Sequence, residues 1–485
     1  MERDNKFWKG ALTGALVTAF AGLLIVGLSA GIFIFGSGVI RRREEAKGPG
    51  YQLEQNEGNG ESQVADGSGA EAENTLNYNR IAGKLQAIQS LIDQYFLYDE
   101  DLEEVENTIY LGMMAGLGDI YSTYYSPEEL EELLEETEGE YYGIGALVSQ
   151  NLYTGVSTIT KVYEGTPSDK AGMMAGDRLY KVDGEEVTGM DLDVVVNTKI
   201  KGEEGTDVKI EVYRPSIEDY VELTITRGKV EVPTVEYEML EDSVGYVAVS
   251  QFDVITVEQF EEAIEDLANQ GMENLVIDLR NNGGGVMQSS VQMLDYLLAD
   301  NITTWEDPYG EEENQGRTLL VYTADKNDEG TSDCASDGRE LDIPMVILVN
   351  ENSASASEIF AGAMQDHGKA AIVGTTTFGK GIVQSIFPLS DGSAIKMTTQ
   401  NYYTPSGRSL NGTGIEPDVK VEPNEALSER LEVEPEEDNQ LQTALEVFEK
   451  GVDAVKEELE SQAESVEETE AFPQKDEAED AQKDE

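Results

Sequence analysis

Pro344-Met345-Val346-Ile347-Leu348-Val349-Asn350 leads, through Glu351, into Asn352-Ser353-Ala354-Ser355-Ala356-Ser357-Glu358-Ile359-Phe360-Ala361-Gly362. An apolar run without alternation reads as a strand covered on both faces, the mark of a buried, mostly parallel sheet. A serine-rich turn then restarts the chain as a helix. A hydroxyl at a helix N-terminus meets unpaired N–H groups and the positive end of the dipole, which favour a developing negative charge. Ser355 with Glu358 also spells S-x-x-E, a capping box that needs no chemistry. Taken alone, this stretch leaves both readings open.

Upstream, the apolar runs Val244-Gly245-Tyr246-Val247-Ala248-Val249 and Leu275-Val276-Ile277-Asp278-Leu279 alternate with helical segments, so the region from Val244 onward reads as α/β. The second run ends in Asp278-Leu279-Arg280-Asn281-Asn282-Gly283-Gly284-Gly285. Consecutive glycines let a backbone approach a substrate closely and present unblocked N–H groups. The run lacks the G-K-[ST] ending of a phosphate-binding loop.

Downstream stands Thr377-Phe378-Gly379-Lys380-Gly381-Ile382-Val383-Gln384. A lysine entering a buried strand loses solvation, which lowers its pKa by up to about 3–5 units when burial is complete. The neutral amine then accepts a proton from a serine hydroxyl. Strand alternation places Gln384 on the face of Lys380, where its amide holds the amine. The single histidine, His367, lies along the same helix as Ser355. At 1.5 Å per residue it is about 18 Å from the hydroxyl and cannot serve it. Lysine is the remaining candidate base.

Residues 141–228 read as short strands with turn signals. Tyr142-Gly143-Ile144-Gly145-Ala146-Leu147-Val148 joins a Gly-flanked turn to a strand. Such a turn can cradle a carboxylate, and the strand edge can accept a peptide as an added strand. Gly165-Thr166-Pro167-Ser168-Asp169-Lys170-Ala171-Gly172 and then Gly176-Asp177-Arg178-Leu179 with Val182-Asp183-Gly184 follow. This resembles PDZ domains, with Tyr142, Gly143, Ile144, Gly145 and Ala146 as the peptide-binding residues.

The 485 residues carry 98 acidic against 33 basic side chains, a formal net charge of -65, which repels nucleic acid. With one cysteine, Cys334, no internal disulfide forms, and a Cys/His zinc site is all but excluded. No metal or other cofactor is indicated. Residues 10–40 are almost wholly apolar or small, long enough for one membrane-spanning helix. A short tail, 1–9, precedes them. Residues 41–77 read as a disordered linker and 78–138 as a helical region, either a spacer or a docking or dimerisation arm, the latter making a homodimer. A PDZ domain over 139–229, a core over 230–430, helices over 431–460 and an acidic disordered tail over 461–485 complete the division. Arginines and lysines flank the apolar span on both sides, and their count leans towards a cytoplasmic C-terminal part.

Ser355 in S-A-S-A-S-E-I, Lys380 and Gln384 in T-F-G-K-G-I-V-Q, Tyr403-Thr404-Pro405-Ser406-Gly407-Arg408 and Gly414-Ile415-Glu416-Pro417-Asp418 closely resemble the C-terminal processing peptidases, tail-specific serine proteases of the S41 type. The resemblance spans about 78–421. It implies a multidomain α/β protein: a ClpP/crotonase-like α/β peptidase core with an inserted PDZ domain, an N-terminal helical arm and one transmembrane helix. It implies Ser355 as nucleophile, Lys380 as base, Gln384 in support, and an oxyanion hole from the amides of Gly285 and Ala356. It further implies cleavage near the C-terminus of proteins with apolar tails, gated by PDZ engagement, and a catalytic domain outside the cytoplasmic membrane, against the charge count. Lys201 stands where many relatives carry an arginine that couples ligand binding to activation, and the acidic stretch 309–340 is longer than expected. The alternatives are a non-catalytic, membrane-tethered PDZ scaffold and a crotonase-like acyl-CoA enzyme.

Overall fold

The structure, a computed structural model, describes residues 32–33, 76–151, 153–424 and 435–470. It divides into two compact units. In the smaller, Asn77 caps the helix Tyr78–Tyr95 by accepting from Arg80 N–H, and Asp101 caps the helix Leu102–Ala115 through Glu103 and Glu104 N–H. The larger holds everything described from Gly118 onward.

Its centre is a six-stranded sheet in the order Val235–Met239, Val244–Val249, Asn274–Asp278, Met345–Val349, Ala370–Gly374, Val419–Lys420. The first pair is antiparallel and the rest are parallel. All five residues of Met345–Val349 are buried, because alternate side chains enter two different cores. Met345, Ile347 and Val349 pack with Phe260, Leu294 and Phe360 of the helices Thr256–Gln270, Met287–Leu297 and Ala356–Asp366. Val346 and Leu348 pack with Leu441, Ala444 and Val447 of the helix Asn439–Lys450. A sheet with helices on both faces gives its central strands near-continuous apolar runs, as the sequence predicts.

A second sheet is largely antiparallel. Ile382–Pro388 pairs with Ala394–Tyr403, which also pairs with Leu319–Asp325 and with Thr123–Tyr125. The acidic stretch 309–340 is part of this sheet: Leu319–Asp325 and Ser332–Cys334 form a hairpin whose Leu319, Leu320 and Val321 are buried, and Tyr322 stacks on Tyr403 at 5.0 Å. The third sheet, Ala146–Asn151, Val156–Val162, Arg178–Val182, Asp207–Arg214 and Asp219–Thr226, wraps its own core of Ile159, Val208, Ile210 and Val212. The helix Pro127–Glu138 precedes it, with the short strand Glu140–Gly143 between them. That helix has Ser126 as N-cap in a complete capping box and Gly139 in the left-handed conformation at its end.

The transmembrane helix expected over 10–40 is not supported. Among the described residues no helix is long and apolar enough to cross a membrane. The span lies outside the described residues except for Ile32–Phe33, a two-residue strand paired with Gln384–Ser385. The linker 41–77 also lies outside them, apart from its last two residues. At the other end the helix Val452–Glu470 runs past residue 460, while 471–485 lie outside the described residues.

Candidate active site

Ser355 is the N-cap of Ala356–Asp366, with φ 56° and ψ −114°, backbone angles that favour glycine. A sharp turn straight off the strand Met345–Val349 enforces them. The flanking serines tie that turn down. Ser353 Oγ donates to Leu279 C=O at 2.7 Å, and Ser357 Oγ donates to Asn282 C=O at 2.8 Å. The outer serines of S-A-S-A-S are therefore structural, and both partners belong to the glycine loop.

That loop lies hard against the turn. A Cβ on Gly284, at φ 101°, would stand 2.7 Å from Ala354 O, 2.8 Å from Ser355 Cβ and 2.9 Å from Ala356 N, so only glycine allows the approach. Gly284 C=O accepts from Phe252 N–H, and Phe252 C=O accepts from Val286 N–H, which clamps the loop from the other side. Neither Gly285 N–H nor Ala356 N–H donates to another group among the described residues. Both residues are buried.

Glu358, wholly buried, joins the third segment to this turn. Its Oε2 accepts from Ser355 N–H at 2.9 Å and from Lys380 N–H at 2.8 Å. Its Oε1 accepts from Thr377 Oγ at 2.6 Å and from Gly379 N–H at 2.8 Å. Burial pushes the Glu358 carboxyl up, and these four donors oppose the shift. Tyr402, 1% exposed, places its hydroxyl between the carbonyls of Ser355 and Lys380. The capping motif is thus a brace between two segments.

Lys380 is 3% exposed, and its Nζ has no hydrogen-bond partner among the described residues. It lies 4.6 Å from the centre of the Tyr121 ring. Desolvation, then the nearby Lys396 ammonium, pull its pKa down to about 7, while Glu358 and Asp119 act the other way. The lysine precedes the strand Ile382–Pro388 rather than sitting in it, and the ladder shifts register between Val383 and Gln384. Simple alternation does not relate Gln384 to Lys380. Gln384 is nevertheless wholly buried; its Nε2 donates to Thr398 Oγ at 3.3 Å, and its Oε1 has no partner among the described residues. His367 lies at the far end of the Ser355 helix, with Nε2 2.7 Å from Leu319 O, and burial lowers its pKa.

In the third sheet Gly145 has φ 80°, and a Cβ there would meet Thr166 Cβ at 2.3 Å. Ile144 C=O accepts from Ser168 N–H and Gly145 C=O from Tyr163 N–H, so the turn is held from behind. Ala146 begins Ala146–Asn151, an edge strand whose only partner in its sheet is Val156–Val162. Tyr142 and Gly143 belong to a separate ribbon, Glu140–Gly143 with Gly228–Glu231. Lys201 Nζ is 3.0 Å from Glu135 Oε2 of the helix Pro127–Glu138.

The profile of Peptidase family S41 matches residues 243–421, and that of a PDZ domain matches 158–214. A carboxy-terminal-processing protease of Bartonella bacilliformis is 34% identical over 351 residues, 71% of this chain and 76% of that protein. The chain belongs to the S41 peptidases. It is a serine-type peptidase with a PDZ domain, and the scaffold and acyl-CoA readings give way. A probable CtpA-like serine protease of Staphylococcus haemolyticus is 36% identical over 310 residues, 64% of this chain but 58% of that longer protein. The solved photosystem II D1 C-terminal processing protease is 29% identical, with TM-score 0.40, covering 71% of this chain and 86% of that one. In this S41 peptidase, motif reading missed Asp119, Tyr121, Lys396 and Tyr402, and took Glu358 for a cap alone. The Glu358 role had a signal in its S-x-x-E spacing; the others are brought in by strand pairing across long stretches of chain.

Proposed function

We propose that this S41 peptidase is a membrane-anchored C-terminal processing protease that works through a Ser355–Lys380 dyad supported by Gln384. The observation that carries the reading is the Lys380 amine, buried and without a hydrogen bond, in a turn that shares one Glu358 oxygen with the Ser355 backbone. Neutral Lys380 takes the Ser355 Oγ proton as Oγ bonds to the scissile carbonyl carbon, whose π electrons move to oxygen. The N–H groups of Gly285 and Ala356 receive that oxyanion. The C–N bond then breaks, the Lys380 ammonium returns its proton to the leaving amine, and water repeats the sequence on the acyl-enzyme.

The PDZ turn at Tyr142–Ala146 receives the substrate's terminal carboxylate, and its last side chains, apolar ones, lie along the open edge of Ala146–Asn151. The apolar stretch 10–40 anchors the chain in the cell membrane with the catalytic part outside the cytoplasm, and the helical arm supports a homodimer.

The test incubates the detergent-solubilised full chain with a protein ending in apolar residues and with the same protein ending in acidic residues, then weighs the products. Cleavage near the apolar C-terminus, absent in Ser355→Ala and Lys380→Ala, is expected. A Lys380→Ala variant with the parent's rate overturns the dyad; equal cutting of the acidic tail overturns apolar-tail recognition.

A further inference from the structure

The amine of Lys380 is enclosed by residues from a part of the chain upstream of the S41 profile. Asp119 begins a short segment that runs into the strand Thr123–Tyr125, which pairs with Ala394–Tyr403 in the register Lys396↔Thr123 and Ala394↔Tyr125. The pairing sets two of the three tyrosines of this segment against two buried lysines: the Tyr121 ring centre lies 4.6 Å from Lys380 Nζ, and the Tyr125 ring centre 5.2 Å from Lys396 Nζ. Each lysine is 3% exposed. From the same segment a polar chain leads to the supporting amide. Asp119 accepts from Ser122 Oγ at 2.5 Å and from Tyr121 N–H at 3.1 Å. Ser122 Oγ accepts from Thr398 N–H at 3.1 Å, and Thr398 Oγ accepts from Gln384 Nε2. With Nε2 committed to Thr398, the carbonyl oxygen of Gln384 is left as the free end of the amide; like the Lys380 amine, it is buried and has no hydrogen-bond partner among the described residues.

We infer that Asp119, Tyr121 and Lys396 are positioning residues for the general base: Tyr121 keeps water from the Lys380 amine, Asp119 orders the Gln384 amide through Ser122 and Thr398, and Lys396 sets a like charge beside the amine. This rests on the reading of Lys380 as base. The charged and titratable groups around Lys380 are Lys396 and Tyr402 of the strand Ala394–Tyr403, Glu358 of the nucleophile helix, and Asp119 and Tyr121 of the covering segment. Lys396 is in turn balanced by Glu136 of Pro127–Glu138. Asp119 favours the ammonium form of Lys380 and Lys396 disfavours it, so removing the two charges has opposite effects.

The experiment measures kcat/KM against pH for the full chain and its variants. Asp119→Asn moves the acid-side midpoint down and Lys396→Gln moves it up, each by about 0.5 pH unit or more, the scale of one charge acting through a partly screened interior; Lys396→Arg leaves it in place. Loss of rate with unmoved midpoints, or shifts of the same sign, overturns the inference and leaves these residues a merely structural role. If Lys396→Gln fails a thermal-melt check for folding, the partly exposed Asp119 decides alone. Retention of activity by Lys380→Ala is a separate outcome, which removes the base itself.

Discussion

Glu358 and Lys380 are joined by a 2.8 Å hydrogen bond from the Lys380 N–H to an oxygen that also accepts, at 2.9 Å, from the Ser355 N–H. One buried carboxylate therefore sets the spacing of the two segments proposed to carry the chemistry. A capping glutamate at an exposed helix end would need no such partners.

Replacing Glu358 by alanine strands four buried donors. Each costs about 1–3 kcal/mol when left unsatisfied, so a loss of roughly 4 kcal/mol or more in urea unfolding is expected, with cleavage abolished. Gln keeps one acceptor oxygen and turns an NH2 towards the remaining donors, so Glu358→Gln is expected to fall between the two.

The strained angles at Ser355 predict a difference between two inactive variants. Both Ser355→Ala and Ser355→Gly lose the hydroxyl, but glycine occupies φ 56°, ψ −114° without penalty. Ser355→Gly should be the more stable by about 1 kcal/mol, net of its greater freedom when unfolded. A lower melting temperature for the glycine variant would count against strain at the turn.

Lys380 ties both rate and stability to pH. With a folded pKa of about 7, the amine is protonated below that value, and kcat/KM should drop roughly tenfold per pH unit beneath it. Between about 7 and the ordinary lysine value the unfolded chain holds a proton that the folded chain has released. Stability therefore rises with pH through that window, and the cost of burying the amine is fully present below it. Lys380→Met should flatten this rise and exceed the parent's stability at pH 7 in unfolding measurements. A steeper rise in the variant would contradict the assignment.

Arg280 links the glycine loop to the C-terminal helices. Its guanidinium reaches Asp278 Oδ2 at 2.5 Å and Asp438 Oδ2 at 2.7 Å, where Asp438 is the N-cap of Asn439–Lys450. Arg280→Met leaves two largely buried carboxylates facing each other. A destabilisation of about 3–5 kcal/mol is expected by chemical denaturation. Asp438→Asn, which keeps a neutral cap, should cost less.

Motif and hydropathy reading carried far in this chain where the signal is local. The unbroken run at Met345–Val349 required cover on both faces, and two separate cores provide it. The three segments of the candidate site could be picked out because glycine, serine and lysine stand in unusual local patterns. The acidic stretch 309–340 resisted, because its apolar content is confined to one strand of a hairpin that gains its meaning only against Ala394–Tyr403. Gln384 was singled out through strand alternation, yet Lys380 precedes the strand and a register shift intervenes, so alternation does not account for its burial.

The order of residues alone determined the α/β core, the PDZ segment and the serine and lysine proposed for acyl transfer, since periodicity, glycine turns and side-chain chemistry act over a few neighbours. Only tertiary structure decided what surrounds the lysine. Its lowered pKa arises from being shut away from water among Tyr121, Asp119, Glu358 and Lys396, groups drawn together by strand pairing and helix packing. Desolvation is a property of an enclosure, and no short run of sequence contains one.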